Sequence, residues 1–481
     1  MKLSGLKKNL ALSTIYQILA LILPLATAPY ASRVLGVDNI GIYSYTHSYS
    51  LFFAMFGALG TVSYGSREIA RNRDDRAVYS RLFWEISLLT ILTSAVCIFA
   101  WGIFTAFQTQ YKIYYIILTA SLLGTMFDIS WLYAGLEQFK YTVSQNLLFK
   151  ILGLIAIFIF VRKPEDLWKY ILIMSLTQSL ANMTMWVYLP KFVDHVSLHD
   201  IRIWHHLKET LVYFIPTIAI SVYTILDKTL IGLITHDTTE NGNYEQATKI
   251  VNIAKTLSFA GINMVFQSRI SYLFAEENYA EIKERIRVSM DYVAFVSIGI
   301  TFGIIGISER FIPLFFGSGY EGAISLLRFM APIVLIVGIS NCLGSQYYNP
   351  AGLRSQSAKF IVIGSAINFV LNLILIPHFK GIGAVIATII AEITISSLYL
   401  KFAGEYFAVN QLLKSSWKKM IAGVLMCALI IFEGKLIHNS FLSVGVQFVS
   451  GVFLYSIVLL VLKDTFLTDT VLPQVRKLMG H

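Results

Sequence analysis

Fourteen long apolar runs, separated by short polar segments, dominate the chain. Because a bilayer core of ~30 Å needs about 20 apolar residues of helix, each run is long enough to cross a membrane. Backbone groups in lipid must find their partners inside the same segment, so each run is predicted to be helical. The runs cover residues 10–32, 41–64, 82–107, 112–135, 143–161, 168–189, 211–235, 245–268, 289–308, 322–344, 359–377, 382–402, 417–437 and 441–462.

The composition agrees with this pattern. Of the 481 residues, 56% are hydrophobic and 14% are charged, and the mean hydropathy is +0.66. Soluble domains carry about 25% charged residues, and no long stretch of this chain is polar enough to cover a soluble core. The sequence therefore predicts an all-α polytopic membrane protein with about 14 transmembrane helices.

Membrane topology explains the net charge of +10 better than nucleic-acid binding does. If the N-terminus lies in the cytoplasm, the loops on that side carry about three times as many Lys and Arg residues as the outer loops, as the positive-inside bias requires. An even number of spans returns the C-terminus to the same side, so we expect both termini in the cytoplasm. The densest basic segment, expected beside anionic headgroups, comprises Arg67, Arg71, Arg73, Arg76 and Arg81.

A short motif recurs about 200 residues along the chain. The first copy, Arg33-Val-Leu-Gly36, closes a proline-bearing helix, and the next helix opens with Gly41-Ile-Tyr43. The second copy, Lys228-Thr-Leu-Ile-Gly232, lies in another proline-bearing helix and is followed by Gly242-Asn-Tyr244. Six predicted helices separate the copies, and this even number predicts two parallel six-helix lobes. The expected divisions are an N-terminal lobe at 1–205, a C-terminal lobe at 206–405, and two further helices with a tail at 406–481.

The eighth predicted helix carries a narrow polar stripe. When each residue advances the helix by ~100°, the polar side chains fall within an arc of about 80°. A stripe this narrow along a spanning helix predicts a hydrated interior beside it, with Lys255 on its flank. The stripe consists of Glu245, Lys249, Asn252, Thr256, Asn263 and Gln267.

Basic residues inside or at the ends of the runs predict a site for an anionic ligand. Charges inside a membrane are costly and normally face a protein interior or a watery cavity. Several of them map to the outer half of the membrane in the predicted orientation, where they would form a cationic chamber suited to a phosphate-bearing ligand. The candidate binding residues are Arg33, His47, Lys228, Lys249, Asn252 and Lys255.

Four acidic side chains inside the runs leave two interpretations open. Asp227 adjoins Lys228 but points about 100° away from it on a helix. Asp227 is therefore expected either to pair with Lys249 or Lys255 or to contact a ligand. The other three, which could bind a coupling proton or sodium ion or could equally cap helix ends and form ion pairs, are Asp128, Asp291 and Glu392.

Enzyme motifs are scarce in the chain. There is no GxxxxGK[ST] phosphate loop and no HExxH zinc motif, so we expect neither an enzyme nor a cofactor. His199, His205 and His206 cluster near Asp200, but without cysteines or a regular ligand spacing they indicate a solvated loop rather than a metal site. The cysteines, which support neither a disulfide nor a metal site, are Cys97, Cys342 and Cys427.

Four motifs keep a characteristic order between residues 32 and 384. They are Ser32-Arg33-Val-Leu-Gly36 leading to Gly41-Ile-Tyr43, Tyr64-Gly-Ser-Arg67-Glu-Ile-Ala70, Leu226-Asp227-Lys228 through Gly242-Asn-Tyr244-Glu-Gln-Ala-Thr-Lys249, and Asn368-Phe-Val-Leu-Asn372 continuing to Gly381-Ile-Gly383-Ala384. In these motifs the chain resembles the Wzx-type polysaccharide or oligosaccharide flippases of the multidrug/oligosaccharidyl-lipid/polysaccharide exporter superfamily.

The resemblance implies two six-helix lobes around a central cavity. It also implies alternating access that moves undecaprenyl-pyrophosphate-linked sugar units across the bacterial inner membrane for capsule, exopolysaccharide or O-antigen. In that family basic cavity residues engage the pyrophosphate-sugar head, and the matching positions here are Arg33 and Lys228. The implied partners are the lipid-linked oligosaccharide, the lipid bilayer, a polysaccharide polymerase and export machinery.

Two other functions stay open. A multidrug antiporter of the same superfamily needs an acidic and aromatic pocket for cationic drugs, whereas the predicted chamber is basic. A membrane glycosyltransferase or polysaccharide polymerase needs a large outer catalytic loop. The longest outer loop, at about 236–244, is too short for one.

Overall fold

The computed structural model describes residues 3–197, 201–407 and 409–473, and these residues contain helices and no strand. The prediction of an all-α protein is therefore confirmed. The α-helices are α1 (Leu3–Ala58), α2 (Thr61–Arg71), α3 (Arg76–Phe107), α4 (Lys112–Met126), α5 (Ser130–Gly135), α6 (Phe139–Phe160), α7 (Leu167–Met185), α8 (Leu207–Thr235), α9 (Thr238–Ala275), α10 (Tyr279–Phe316), α11 (Glu321–Met330), α12 (Pro332–Leu343), α13 (Arg354–Ala403), α14 (Val409–Leu436) and α15 (Ser440–Val461).

These helices lie where the sequence predicts the fourteen spans. α13 holds two predicted spans, and its backbone breaks between them at Lys380 (φ 49°). α1 holds the first predicted span and most of the second, with a break between them at Gly36 (φ 79°), and the second span, predicted to end at residue 64, ends as α1 does at Ala58. α4 with α5 forms one span, and α11 with α12 forms another. Within the described residues, seven segments are by length and composition alone apolar enough to cross a membrane. They are Arg76–Phe107, Lys112–Gly135, Phe139–Phe160, Tyr279–Phe316, Glu321–Tyr348, Arg354–Ala403 and Ser440–Val461.

The chain divides into two compact units. The first comprises Met1–Gly232 and Asp237–Gly242, and the second comprises Leu233–His236 and Asn243–His481. Most of α8 therefore belongs to the first compact unit. Compact packing and internal repetition are different properties, so the lobe boundaries at 205 and 405 stay predictions.

The first unit has an aromatic core between its short helices. α2 packs against α3 and α5, while α1 packs against α3, α4 and α6. Phe83, Trp131 and Tyr133 are fully buried in this core. Gly65 lets α2 approach closely, since an added Cβ there would lie 2.5 Å from the Trp131 ring. This packing holds the neighbouring Tyr64 against the interior of the unit.

The second unit is built around α10. This helix packs against α12, α14 and α15, and Met290 and Val293 on it are fully buried. One side-chain amide joins the two halves of α13: Asn368 Nδ2 donates to Thr388 Oγ1 at 3.1 Å. Within the first half, Asn372 Nδ2 donates to Asn368 Oδ1 at 3.0 Å and orients that amide. Both asparagines are fully buried, so this part of the sequence motif stabilises the fold.

Gly41 and Gly242, the corresponding glycines of the two motif copies, make reciprocal contacts within the first unit. A Cβ added to Gly41 would overlap the carbonyl group of Thr238, and a Cβ added to Gly242 would overlap the carbonyl oxygen of Val37. Each glycine thus faces the carbonyl group four residues before the other glycine. When two equivalent segments contact each other, each presents the same feature to the other, so the contact is reciprocal. The pattern therefore supports the internal repeat predicted from the sequence.

Candidate functional site

The predicted substrate-binding residues divide equally between the two units. The first unit contains Arg33, His47 and Lys228, and the second contains Lys249, Asn252 and Lys255. The cationic chamber that would combine both sets stays a prediction. Within each unit the contacts of these residues define what each could do.

His47 and Lys228 lie at one level of the first unit. Thr229 Oγ1 donates a buried hydrogen bond to Ser48 Oγ at 2.7 Å, which joins α8 to the second half of α1. His47 precedes Ser48 and Lys228 precedes Thr229. The bond therefore places the two basic residues at about the same height along the axes of α1 and α8. The His47 ring stacks on Tyr43 with centroids 5.1 Å apart, an arrangement that orients the imidazole.

Arg33 and Asp227 have opposite exposures in the first unit. Arg33 is exposed and lies three residues before the break in α1 at Gly36. Asp227 on α8 is 3% exposed, and a carboxylate so deeply buried needs a compensating partner. The pairing of Asp227 with Lys249 or Lys255 stays a prediction.

Lys249 is held by a carboxylate of its own helix. Its Nζ lies 3.4 Å from Glu245 Oε1, one helical turn earlier on α9, and the Lys249 side chain keeps 29% of its surface exposed. Asn252 is exposed nearby on the same stripe, whereas the Gln267 side chain lies outside the described residues. Lys249 is therefore oriented by Glu245 and still accessible to an anionic ligand.

Lys255 and Glu392 interact in the second unit. Glu392 on α13 is 3% exposed, and the half-buried Lys255 of α9 acts on its carboxylate electrostatically. Both the ion-pair interpretation of Glu392 and its role in ion coupling stay predictions.

Asp128 forms an Asx turn immediately before α5. Its Oδ1 accepts a hydrogen bond at 2.8 Å from the backbone N–H of Ser130, the first residue of α5. The N-cap position itself belongs to Ile129, whose side chain makes no capping bond. Asp128 therefore satisfies a backbone donor at the start of α5, while its role in ion coupling stays a prediction.

Asp291 belongs to a buried ion cluster that the sequence analysis missed. Lys419 Nζ lies 3.2 Å from Asp464 Oδ2 and 4.0 Å from Asp291 Oδ1, and the Lys419 side chain is 1% exposed. Arg287 NH1 also lies 3.6 Å from Asp291 Oδ2. Lys419 lies at the start of the predicted span 417–437. Lysines at the cytoplasmic ends of spans are common, so nothing in the sequence indicates that this one is buried.

His206 contradicts the interpretation of the histidine cluster as a solvated loop. His199 and Asp200 lie outside the described residues, and His205 is exposed, but His206 is 3% exposed. The solvated-loop prediction is wrong for His206 because the turn Ile203–His206 packs against α3. The buried side chain then needs polar partners inside the unit.

Glu85 and Tyr64 supply those partners. His206 Nε2 lies 2.7 Å from Glu85 Oε2, and His206 Nδ1 lies 2.7 Å from the Tyr64 hydroxyl. A phenol has an ordinary pKa of about 10, so at neutral pH Tyr64 keeps its proton and can donate it to Nδ1. Nε2–H is then available to Glu85, which also accepts from Arg81 Nε at 3.0 Å. A lone glutamate inside the run 82–107 was the sequence signal for this network.

An amide and hydroxyl cluster surrounds Asn263 of the polar stripe. Asn263 Nδ2 donates to Asn341 Oδ1 at 2.6 Å, and Ser345 Oγ donates to Asn263 Oδ1 at 3.1 Å. Gln346 Nε2 donates to the same Asn263 oxygen at 3.4 Å. Asn341 lies on α12, and the other two partners lie on the π-helical turn Gly344–Tyr348 that follows it. The stripe therefore continues into a neutral polar cluster.

Comparison with known proteins identifies similar sequences over most of the chain. The model of a family described as polysaccharide biosynthesis protein matches residues 6–274. A protein of Escherichia coli (strain K12), provisionally named an O-antigen transporter, is 25% identical over 411 residues, which cover 83% of this chain and 96% of that protein.

Solved structures share the fold. The lipid II flippase MurJ in an inward closed conformation matches with a TM-score of 0.74 at 15% identity, covering 96% of this chain and 99% of that one. An inward-facing multidrug resistance MATE family transporter of the MOP superfamily matches with a TM-score of 0.62 at 12% identity, covering 82% of this chain and 95% of that one. At these identities the likeness concerns the fold alone, and it confirms the predicted polytopic transporter architecture.

Proposed function

Since the chain belongs to the polysaccharide biosynthesis protein family, we propose that it is a flippase that moves lipid-linked oligosaccharides across a membrane for cell-surface polysaccharide synthesis. The observation that carries this proposal is the likeness to a protein named an O-antigen transporter over nearly the whole of that protein. The chain is a multi-pass membrane protein with at least seven apolar helices. It is a transporter rather than an enzyme, in keeping with the names of its relatives.

The carrier lipid is undecaprenyl pyrophosphate, and its diphosphate is the group that the basic residues recognise. Lys249 supports this role because Glu245 orients it at 3.4 Å while part of its side chain stays accessible. His47 and Lys228 lie at one level of the first unit, and charged hydrogen bonds to phosphate are strong. Arg33, Asn252 and Lys255 complete the proposed set. These side chains replace water around the diphosphate during alternating access, while the polyprenyl tail remains in lipid.

The protein resides in the bacterial cytoplasmic membrane with both termini in the cytoplasm. The distribution of Lys and Arg between the loops supports this orientation. A polysaccharide polymerase then consumes the translocated units, and export machinery carries the polymer, which is O-antigen, capsule or exopolysaccharide.

Charge-removing variants in the producing bacterium test the proposal. Lys228→Ala and Lys249→Ala are expected to abolish polymer export, because the diphosphate would lose its counter-charge. Lys163→Ala removes an exposed loop charge whose side chain is 66% accessible and serves as the matched control. Surface polymer is quantified at equal protein levels in the membrane. Normal export by both cavity variants would contradict the role of these charges.

A multidrug antiporter remains the alternative, but the MATE structure supports it through fold alone. Drug resistance on overexpression, together with normal polymer after deletion of the gene, would favour the antiporter. Loss of polymer on deletion supports the flippase.

A further inference from the structure

The amide and hydroxyl cluster around Asn263 is not needed for recognising a diphosphate. Its four side chains, from Asn263, Asn341, Ser345 and Gln346, are all neutral. Asn263 shares the polar stripe of α9 with Lys249, but at ~1.5 Å per residue it lies about 21 Å further along the helix axis. A single helix face therefore carries a cationic group and, at a set distance, a neutral hydrogen-bonding group.

The cluster has hydrogen-bonding capacity that the protein leaves unused. Gln346 is fully buried, and its Oε1 accepts no hydrogen bond from the described residues. The single hydroxyl proton of Ser345 is shared between Asn263 Oδ1 and the carbonyl oxygen of Asn341. Leaving a buried acceptor unsatisfied is costly, so such an atom in a folded protein requires an explanation.

The backbone around the cluster is also unusual. Ser345 and Gln346 are consecutive, yet both donate to the same oxygen of Asn263. On a regular α-helix neighbouring side chains point about 100° apart, and the π-helical turn Gly344–Tyr348 brings these two together.

We propose that this cluster binds sugar hydroxyl groups and lets the protein distinguish a complete oligosaccharide from a shorter one. The inference rests on the proposed flippase function. A sugar hydroxyl both donates and accepts, so it can donate to Gln346 Oε1 while accepting from a neighbouring amide. A site built to hydrogen-bond a hydroxyl rejects ligands that lack it, because its own polar groups then stay unpaired. With the diphosphate at Lys249, a single attached sugar does not reach Asn263.

Ligand-induced stabilisation of the purified full-length protein tests this division of roles. The probes are the native lipid-linked oligosaccharide extracted from the producing strain and the same lipid trimmed to one sugar. Each probe that binds the folded protein raises its unfolding midpoint according to its affinity. Asn263→Leu and Gln346→Leu are expected to weaken binding of the complete oligosaccharide about tenfold, the value of one hydrogen bond of ~1.4 kcal/mol. Binding of the one-sugar lipid should not change.

Matched variants keep the test decisive. Ser456→Ala removes a hydroxyl of α15 that donates to the carbonyl oxygen of Val452, away from the polar stripe, and should leave both affinities unchanged. Ser345→Ala removes one small half-buried hydroxyl, so it reports on the cluster even if the Gln346 variant folds poorly. An unchanged preference for the complete oligosaccharide in folded Asn263 and Ser345 variants would overturn the proposal.

The same binding measurements distinguish failure of the sugar-site proposal from failure of the flippase proposal. Lys249→Ala should weaken the binding of both probes equally, because both carry the diphosphate. If Lys249→Ala changes neither affinity while Asn263→Leu removes the preference, the sugar site stands and the phosphate role of Lys249 fails. If wild-type protein binds neither probe, the flippase proposal and the sugar site that depends on it are both wrong.

Discussion

His206 and Glu85 form a buried pair in which Nε2 and Oε2 lie 2.7 Å apart and the side chains are 3% and 5% exposed. The pair joins the turn before α8 to α3, and the Tyr64 hydroxyl at His206 Nδ1 adds α2 to the same network. Removing one member leaves the others buried without their partner, which costs more than the net value of the bond. The network therefore holds the start of α8 in place.

Glu85→Ala is expected to lower the free energy of unfolding by about 1–3 kcal/mol, because it leaves the Nε2–H group of buried His206 without an acceptor. Unfolding in detergent measures the effect. Glu137→Ala is the control, since Glu137 forms an exposed ion pair with Arg73 at 2.9 Å that should contribute less than about 1 kcal/mol. Equal losses in the two variants would argue against the network.

Lys419→Ala should destabilise the second unit strongly. The substitution leaves buried Asp464 without its cation and leaves Asp291 with Arg287 alone, at a cost of about 3–5 kcal/mol. Lys418→Ala is the matched control, because Lys418 is only half-buried, donates to the carbonyl oxygen of Lys463 at 2.8 Å and lies over the Trp417 ring, and it should contribute about 1 kcal/mol. Thermal unfolding followed by tryptophan fluorescence compares the two, and equal midpoints would show that the ion cluster is unimportant.

Gly41→Ala and Gly242→Ala are each expected to cost at least about 1–3 kcal/mol, the typical penalty of overpacking. The new Cβ would meet the backbone of Thr238 or Val37, which cannot rotate away as a side chain could. Gly445→Ala in α15 meets open space and should stabilise the helix by about 0.5–1 kcal/mol. Denaturant titration of all three variants is the measurement. Equal stability of the Gly41 and Gly445 variants would refute the close contact.

Asp128 variants separate the capping role from ion coupling. Asp128→Asn keeps a side-chain oxygen that can accept from the Ser130 N–H and should preserve both stability and polymer export, whereas Asp128→Ala should cost about 0.5–1.5 kcal/mol. If the carboxylate carries a coupling ion, Asp128→Asn will instead abolish export while the protein stays folded. Export assays and unfolding midpoints on the same two variants distinguish these cases.

The number and positions of the helices follow from the sequence because lipid makes folding of each span a local problem. A span must satisfy its own backbone hydrogen bonds, so run length and hydropathy are sufficient to locate it. The breaks at Gly36 and Lys380 fall between predicted spans for the same reason. Gly41 and Gly242 occupy equivalent positions in the two motif copies, so their equivalence can also be read from the sequence.

Which charged side chains pair with each other could be read only from the tertiary structure. Glu245 and Lys249 are one turn apart, so helical spacing alone brings them close, but Glu85 meets His206 across 121 residues of sequence. No local period encodes such a distant pair, because helix packing selects it. The sequence alone therefore determined the membrane-spanning helices and the candidate basic residues. Tertiary packing decided which charged groups are neutralised inside the units, since burial makes an unpaired charge too costly to keep.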